Sequence, residues 1–313
     1  MGSAQTQIGA GEAGDRMPTL ESLCSQAAAG ERLALAKLLT AVERGEDLAE
    51  LIPVREHSVD AWKVLGVTGA PGVGKSCLVD RLVKAWVDAG GKVAILAIDP
   101  SSPVSGGALL GDRMRMSSVD EGQDVYLRSI ATRNLPGGLP ARIDGMLDAL
   151  VSAGFSHIIV ETVGAGQSEV RIIAVADRIL LVEGPARGDV IQAEKAGVME
   201  LADLIAVNKS DLEGAEKAAE EIRMSMQLSE VDDGAPVILC SAHTGDGISE
   251  LVEALDNLPN ARGAASARAR ERLLAAWTES LLLHPGWGDA LKSVESGEVT
   301  VREVIRDLLG HED

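Results

Sequence analysis

The run from Gly69 to Ser76, Gly-Ala-Pro-Gly-Val-Gly-Lys-Ser, constrains the fold of this chain more than any other feature. It fits the Gly-x-x-x-x-Gly-Lys-Ser/Thr pattern of a phosphate-binding loop. Such a loop joins a buried strand to a helix, and the apolar patterns at 62–67 and 78–89 predict those two elements. Backbone N–H groups of the loop and the helix N-terminus then surround a bound anion.

We therefore predict that this loop binds the phosphates of a nucleotide. Lys75 is expected to contact the β- and γ-phosphates during catalysis, and the Ser76 hydroxyl is expected to hold Mg²⁺. The predicted nucleotide-binding residues of the loop are Gly69, Ala70, Pro71, Gly72, Val73, Gly74, Lys75, Ser76 and Cys77.

A second motif indicates which base the nucleotide carries. An apolar strand is expected at 204–208, and it runs into the Asn-Lys-x-Asp pattern of Asn208, Lys209 and Asp211. The Asp211 carboxylate can accept two hydrogen bonds from guanine, whereas adenine would leave it desolvated and unpaired. The stem of Lys209 is expected to lie over the purine face.

A further strand, expected at 236–241, leads to the last predicted contact with the base. The backbone N–H groups of Ser241 and Ala242 are expected to reach guanine O6. Together the motifs predict that the chain binds GTP or GDP with Mg²⁺.

The order of apolar segments predicts an α/β fold with a doubly wound, mostly parallel sheet, because continuous apolar strands indicate burial on both faces. We expect a disordered lead at 1–17, an N-terminal helical segment at 18–60 with its apolar helical pattern at 21–44, a nucleotide-binding domain at 61–260 and a C-terminal helical region at 261–313. The expected strands are 62–67, 93–98, 125–130, 157–162, 178–183, 204–208 and 236–241.

Composition excludes several functional classes. The net charge of −19 argues against binding nucleic acid or an anionic membrane surface, and no apolar run is long enough to span a bilayer. No signal peptide is evident, and the three scattered cysteines indicate reduced thiols, so we expect a cytoplasmic protein. Aromatic residues make up only 2%, so the core must consist of Leu, Ile, Val and Ala.

Acidic residues near the ends of other strands are candidates for the metal and for the attacking water. Asp99, Asp112 and Glu161 are the predicted catalytic and metal-binding carboxylates. For Asp99 the alternative is a cap on the turn opened by the following proline. Gly164 allows its N–H to approach the γ-phosphate. Ala165 stands where Ras-like proteins carry a water-orienting Gln, so we expect slow hydrolysis unless a partner completes the site.

These motifs resemble the MeaB/ArgK family of P-loop GTPases, which are chaperones of adenosylcobalamin-dependent acyl-CoA mutases such as methylmalonyl-CoA mutase. The likeness covers roughly residues 20–310, including the helical tail with Trp277. The matching runs are ERLALAKLLTAVERG (31–45), GAPGVGKS (69–76), DPSSPVSGGALLGDRMRM (99–116), RSIATRNLPGG (128–138), ETVGAGQSE (161–169), GDVIQAEKAGVMELAD (188–203) and NKSD (208–211).

The resemblance implies further properties of the chain. The fold would be a SIMIBI-like P-loop GTPase with a C-terminal region that forms a homodimer. Its partners would be an acyl-CoA mutase and the cobalamin adenosyltransferase. A third switch would signal the nucleotide state to the mutase; its residues are Gly188, Asp189, Gln192 and Lys195.

The chain also departs from the family pattern, and other functions stay open. Cys77 stands where Thr is usual, which we expect to affect only packing, and Arg187 stands beside the third switch. One alternative is a metal-insertion GTPase for a nickel enzyme, which would need a His-rich or Cys/His cluster, whereas the five histidines are dispersed. The other is a transport-linked kinase, for which the chain shows no phosphoacceptor-protein site.

Overall fold

A sheet of seven parallel strands forms the centre of the molecule. In this computed structural model the described residues are 18–55, 62–99, 124–131, 142–162, 168–185, 199–228, 234–258 and 265–308. The strands are β1 (Val64–Thr68), β2 (Val93–Asp99), β3 (Val125–Ala131), β4 (His157–Thr162), β5 (Arg178–Glu183), β6 (Leu204–Val207) and β7 (Val237–Leu239). Their order in the sheet is β3-β2-β4-β1-β5-β6-β7.

β1 is the central strand of the sheet, with three strands on each side. β4, β2 and β3 lie on one side of it, and β5, β6 and β7 lie on the other. Since every pairing is parallel, the carboxyl ends of all seven strands meet at one edge of the sheet. In doubly wound sheets, ligands bind at this edge, close to the point where the strand order reverses.

Helices cover both faces of the sheet. α3 and α7 pack on one face, whereas α1, α2, α4 and α5 pack on the other, and α6 covers β6 and β7. The helices are α1 (Leu20–Ala28), α2 (Arg32–Arg44), α3 (Lys75–Asp88), α4 (Ile143–Ser152), α5 (Ser168–Val175), α6 (Ala215–Leu228), α7 (Ile248–Asn257), α8 (Ala265–Leu282), α9 (Trp287–Glu295) and α10 (Val301–Leu308).

The α/β fold class predicted from the sequence is confirmed, and each expected strand is present within two residues of its expected bounds. Two helices differ from expectation. The segment expected to be helical from 21 to 44 is interrupted at Gly30, whose φ of +91° lies outside the helical range. The helix after the phosphate-binding loop begins at Lys75, not at residue 78, because Gly74 with φ of +93° forms its N-cap.

A small aromatic cluster lies at the amino edge of the sheet, opposite the phosphate-binding loop. The Trp86 ring stacks on His157 with 4.4 Å between centroids, and Trp62 meets His157 edge-on at 5.0 Å. The Arg178 guanidinium carbon lies 5.3 Å from the Trp62 ring centroid. Burial of His157, with repulsion from Lys63, lowers the pKa of the imidazole to about 4.

The C-terminal helices differ from the rest of the structure because they expose apolar side chains. Within α9 and α10 no residue is buried. The large apolar residues exposed on α8, α9, α10 and the turn after α8 are Leu273, Leu274, Trp277, Leu283, Leu291, Val301 and Ile305. We call these seven residues the C-terminal apolar surface.

Two polar contacts fasten α8 to the sheet domain. Arg272 donates to the carbonyl oxygens of Ala174 and Ala176, both at 3.3 Å, at the end of α5. Glu279 accepts a 2.6 Å hydrogen bond from the backbone N–H of Arg142, the residue before α4. Both contacts suit the helix dipoles, since a cation meets a helix C-terminus and an anion meets an N-terminus. Among the helices described here, none combines the length and hydropathy needed to cross a membrane.

Candidate nucleotide-binding site

The phosphate-binding loop connects β1 to α3 at the carboxyl edge of the sheet, as predicted. Gly69 and Gly74 both have positive φ angles, of +140° and +93°. A Cβ atom at Gly69 would collide with the carbonyl oxygen of Val182, and one at Gly74 would lie 2.5 Å from the side-chain nitrogen of Asn208. Only glycine therefore allows the loop to lie this close to β5 and to the segment after β6.

The Lys75 ammonium group is held inside this loop. Its Nζ donates to the carbonyl oxygens of Gly69 at 2.7 Å and Ala70 at 3.1 Å, and the residue is buried. These two bonds hold the positive charge within the loop, at the N-terminus of α3. A cation and a helix N-terminus at one place together favour binding of a phosphate group.

Three predicted metal and catalytic residues converge beside the loop. The Ser76 hydroxyl donates to Glu161 Oε1 at 2.8 Å. Glu161 pairs with Ala97 across β4 and β2, and Asp99 lies two residues further along β2, so both carboxylates lie on the sheet face that α3 covers. Both residues are 2% exposed.

This arrangement fits an Mg²⁺ ion that completes its coordination with nucleotide. Within the described ranges no group of three or more His, Cys, Asp or Glu residues is spaced to hold a metal alone. Mg²⁺ in nucleotide sites keeps several waters and uses one or two protein oxygens plus phosphate oxygens. The hydroxyl of Ser76 and the carboxylates of Asp99 and Glu161 are oxygen donors of this kind.

The base-binding motif is tied directly to the phosphate-binding loop. The buried side chain of Asn208 donates from Nδ2 to the carbonyl oxygen of Val73 at 2.8 Å and accepts at Oδ1 from the Ala242 N–H at 3.0 Å. Lys209 adopts φ of +64° and donates from Nζ to the Gly72 carbonyl oxygen at 2.8 Å. The three segments that would surround the base are therefore already connected to one another.

Asp211 lies at the exposed end of this motif. Its Oδ1 accepts a 2.5 Å hydrogen bond from the Ser241 hydroxyl. That bond, with smaller effects of His243 and Lys209, lowers the pKa of the carboxyl below its ordinary value. The group is consequently an ionised acceptor at neutral pH, which is the state that pairing with guanine N1–H and the 2-amino group requires.

The N–H groups of Ser241 and Ala242, which were expected to contact guanine O6, both donate to acceptors within the protein. The Ser241 N–H donates to the carbonyl oxygen of Asp246 at 2.9 Å, and the Ala242 N–H is used by Asn208. Both donors are occupied within the protein. The O6 contact of this pair stays a prediction, and it requires a bound base to displace these partners.

Two further residues near the site, Cys77 and Arg81, lie on α3. Cys77 is exposed on α3, and its predicted contact with the nucleotide stays a prediction. Arg81, also on α3, donates to the carbonyl oxygens of Ala242 at 2.8 Å and His243 at 3.0 Å. No motif includes Arg81; its only signal in the sequence is its position, seven residues or about two helical turns after Gly74.

Several predicted residues lie outside the described part of the chain. They are Asp112, Gly164, Gly188, Asp189, Gln192 and Lys195, and Ala165 lies there too. The structure describes the phosphate-binding and base-binding motifs and two of the three predicted carboxylates.

Comparison with known proteins identifies the family. The family model described as methylmalonyl-CoA mutase-associated GTPase MeaB matches residues 35–284. The chain belongs to the MeaB family of GTPases. Family membership accounts for the two nucleotide motifs and implies that guanine nucleotide is bound and hydrolysed.

Individual relatives match most of the chain. A putative GTPase of Pyrococcus horikoshii is 40% identical over 243 residues, which are 76% of this chain and 77% of that protein. A probable GTPase of Mycobacterium tuberculosis is 34% identical over 305 residues, 93% of this chain and 89% of that protein.

A third relative is much longer than this chain. The fused isobutyryl-CoA mutase of Cupriavidus metallidurans is 35% identical over 247 residues, which are 75% of this chain but 22% of that protein.

Among solved structures, one described as LAO/AO transport system kinase superposes with a TM-score of 0.62 at 22% identity, covering 93% of this chain and 97% of that one. At this identity the superposition supports the fold alone.

Proposed function

We propose that this protein is a GTP-hydrolysing chaperone that controls the loading of adenosylcobalamin into an acyl-CoA mutase and protects the loaded enzyme. The observation that carries the proposal is the similarity to fused isobutyryl-CoA mutases at 35% and 39% identity, over 75% of this chain in each case. In those proteins a region like this chain is covalently joined to a protein named as a mutase. A separate chain of the same family would perform the corresponding role by binding its mutase.

Residues of the carboxyl edge supply the nucleotide chemistry in this proposal. Lys75 and the N–H groups of the loop bind the phosphates, and Asp211 selects guanine. Ser76, Asp99, Glu161 and the predicted Asp112 would hold Mg²⁺ and its waters, and the ion would neutralise charge on the phosphates. The buried carboxylates also offer acceptors that orient the attacking water.

Hydrolysis by the isolated protein is expected to be slow. Ala165 offers no hydrogen-bonding group where a water-orienting side chain would stand, so this contribution must come from elsewhere. We propose that the mutase supplies it through contacts with the predicted switch residues around Asp112 and from Gly188 to Lys195. Switch segments that respond to both nucleotide and partner are a common mechanism of signalling.

The C-terminal apolar surface supports the proposal that the protein is a homodimer. Leu273 is 73% exposed, Trp277 50% and Val301 59%. Contiguous exposed apolar side chains on a monomer usually mark a protein interface. A second copy of the same helices, meeting them about a two-fold axis, would bury these side chains.

The direct test of the proposed partner is the GTPase rate with and without a mutase. Alone, the rate should lie below the usual enzyme range of about 1–1000 per second. Purified isobutyryl-CoA and methylmalonyl-CoA mutases should be added in turn, and the cognate enzyme should raise the rate. Lys195→Ala should abolish the stimulation and leave the basal rate unchanged, whereas Lys217→Ala, on the exposed face of α6, should change neither. A basal rate that no acyl-CoA mutase alters would refute the assignment.

A further inference from the structure

Arg81 connects the helix that follows the phosphate-binding loop to the loop that follows β7. We call residues 241–246 the base loop. Arg81 Nε donates to the Ala242 carbonyl oxygen at 2.8 Å, and Nη2 donates to the His243 carbonyl oxygen at 3.0 Å. The planar guanidinium group is suited to two acceptors side by side, so these two bonds fix both the distance and the orientation of the base loop relative to α3.

The base loop is also closed on itself by short contacts. The Ser241 N–H donates to the Asp246 carbonyl oxygen at 2.9 Å, and the Gly245 N–H donates to the Ser241 carbonyl oxygen at 2.8 Å. The Thr244 N–H donates to the Ser241 hydroxyl oxygen at 3.1 Å. These bonds connect both ends of the loop to its middle, so a contact that anchors one part of it also positions the rest.

Arg81 also determines the direction of one backbone donor. In a planar trans peptide the C=O and N–H groups point in opposite directions. Because the Ala242 carbonyl points to Arg81, the N–H of His243 points away from it. Within the described chain this N–H donates to no protein acceptor, whereas the N–H groups of Ser241 and Ala242 are both engaged.

We propose that Arg81 is a positioning residue for guanine recognition, which holds the base loop so that the His243 N–H donates to guanine O6. The inference rests on the proposed binding of guanine by Asn208 and Asp211. It assigns the O6 contact, predicted above for the N–H groups of Ser241 and Ala242, to the neighbouring N–H of His243. It also predicts that a residue on α3, the helix after the phosphate-binding loop, influences the choice of base.

The test compares GDP with 6-thio-GDP, in which sulfur, a weak acceptor, replaces O6 while N1–H and the 2-amino group remain. Dissociation constants are measured by calorimetry for the wild type, Arg81→Ala and Arg81→Lys. The matched control is Arg223→Ala, because the exposed Arg223 donates in the same way to a backbone carbonyl, that of Val237 in β7, at 3.0 Å. Melting temperatures are recorded for all four proteins.

We expect the wild type to prefer GDP over 6-thio-GDP. Arg81→Ala should weaken GDP binding by about tenfold, equivalent to about 1.4 kcal/mol, and should bring the ratio of the two dissociation constants close to one. Arg81→Lys should give an intermediate ratio, because an ammonium group cannot reproduce both guanidinium hydrogen bonds with the same geometry. Arg223→Ala should leave the ratio unchanged. If Arg81→Ala does not fold, the ratio of the GDP and 6-thio-GDP dissociation constants for Arg81→Lys decides the test.

Two results would overturn the inference. One is an unchanged GDP affinity in the Arg81 variants. The other is an equal loss for both nucleotides with the ratio preserved, which would assign Arg81 to the phosphate side or to general stability. Failure of the wild type to prefer GDP over ADP would instead contradict the proposed guanine site itself, so the two failures can be told apart.

Discussion

The seven-stranded sheet with its covering helices and the C-terminal helices differ in how far they bury their apolar side chains. Strands such as β1, β2 and β5 are buried along their whole length, and hydrogen bonds join the phosphate-binding loop after β1 to the base-binding motif after β6. In contrast, α9 and α10 bury no residue. The comparison teaches that the described nucleotide motifs are connected within one chain, whereas the exposed apolar side chains of the C-terminal helices support the proposed interface with a second chain.

The largest effect should come from removing the charge within the phosphate-binding loop. Lys75→Ala should lower the GTP hydrolysis rate by about 10²–10³-fold, because a positioned cation on the transferred phosphate is lost. Circular dichroism and the oligomeric state should remain those of the wild type. Lys84→Ala, an exposed lysine on the same helix, is the control and should hydrolyse GTP normally.

Unchanged turnover in a folded Lys75→Ala protein would show that another cation contacts the phosphates. Loss of the proposed dimer in this variant would also contradict the comparison, since it would mean that the nucleotide site and the C-terminal helices are not independent.

The second effect concerns the choice of base. Asp211→Asn should weaken GTP binding by about tenfold or more, because a hydrogen bond to a charged group contributes about 1.5–3 kcal/mol. Xanthosine triphosphate should now bind better than to the wild type, since xanthine has an oxygen at position 2 to which the amide can donate. Calorimetry with both nucleotides checks this, with Asp289→Asn on α9 as control. A variant that keeps the guanine preference of the wild type would contradict the assignment.

The third effect should be confined to the C-terminal helices. Leu273→Asp should weaken the proposed homodimer by about 30-fold, as expected if about 2 kcal/mol of interface energy is lost with this apolar side chain, and leave GDP affinity unchanged. The measurement is sedimentation equilibrium at several protein concentrations. Leu33→Asp is the matched control, because Leu33 is 70% exposed on α2, outside the C-terminal apolar surface. Equal weakening by both substitutions, or a wild type that is monomeric at all concentrations, would contradict the proposed interface.

The smallest effect is a pH dependence confined to the sheet domain. The unfolded chain protonates His157 near its ordinary pKa of 6.5, whereas the folded protein does so only near 4. Protonation therefore favours the unfolded state, and stability should fall as the pH drops from about 6.5 to about 4. Because the ring is only partly buried, the loss from this residue should be roughly 1–2 kcal/mol.

Urea unfolding at pH 7 and pH 4 measures this loss. His157→Phe, which keeps an aromatic ring against Trp86, should reduce the difference between the two pH values. His284→Phe, at the exposed turn before α9, should not reduce it. An identical pH dependence in wild type and His157→Phe would show that other groups determine the acid sensitivity.

The sequence predicted the parts of the molecule that local patterns encode. Continuous apolar runs indicated the seven strands, and the two nucleotide motifs placed Lys75, Ser76 and Asn208 at one edge of the sheet. Local patterns cannot reveal contacts between distant segments. The bonds from Arg81 to the base loop, 161 and 162 residues away, follow only from the fold.

The same limit applies to other parts of the molecule. The break at Gly30 was missed because the apolar periodicity continues across it. The early start of α3 at Lys75 was missed because Gly74 lies inside the loop motif, where glycine was assigned to phosphate binding and not to a helix cap. The exposure of the C-terminal apolar surface depends on where α9 and α10 lie, which amphipathic periodicity does not specify.

The central claim is that this protein uses its nucleotide state to control delivery of a cofactor to a mutase. The most direct measurement is the amount of adenosylcobalamin bound by the cognate acyl-CoA mutase, followed by its absorption spectrum. It is measured in the presence of this protein with GDP and, separately, with a non-hydrolysable GTP analogue. By linkage, a mutase state that favours one nucleotide is itself favoured by that nucleotide, so we predict that loading differs between the two conditions. Equal loading with GDP, with the analogue and without this protein would contradict the account.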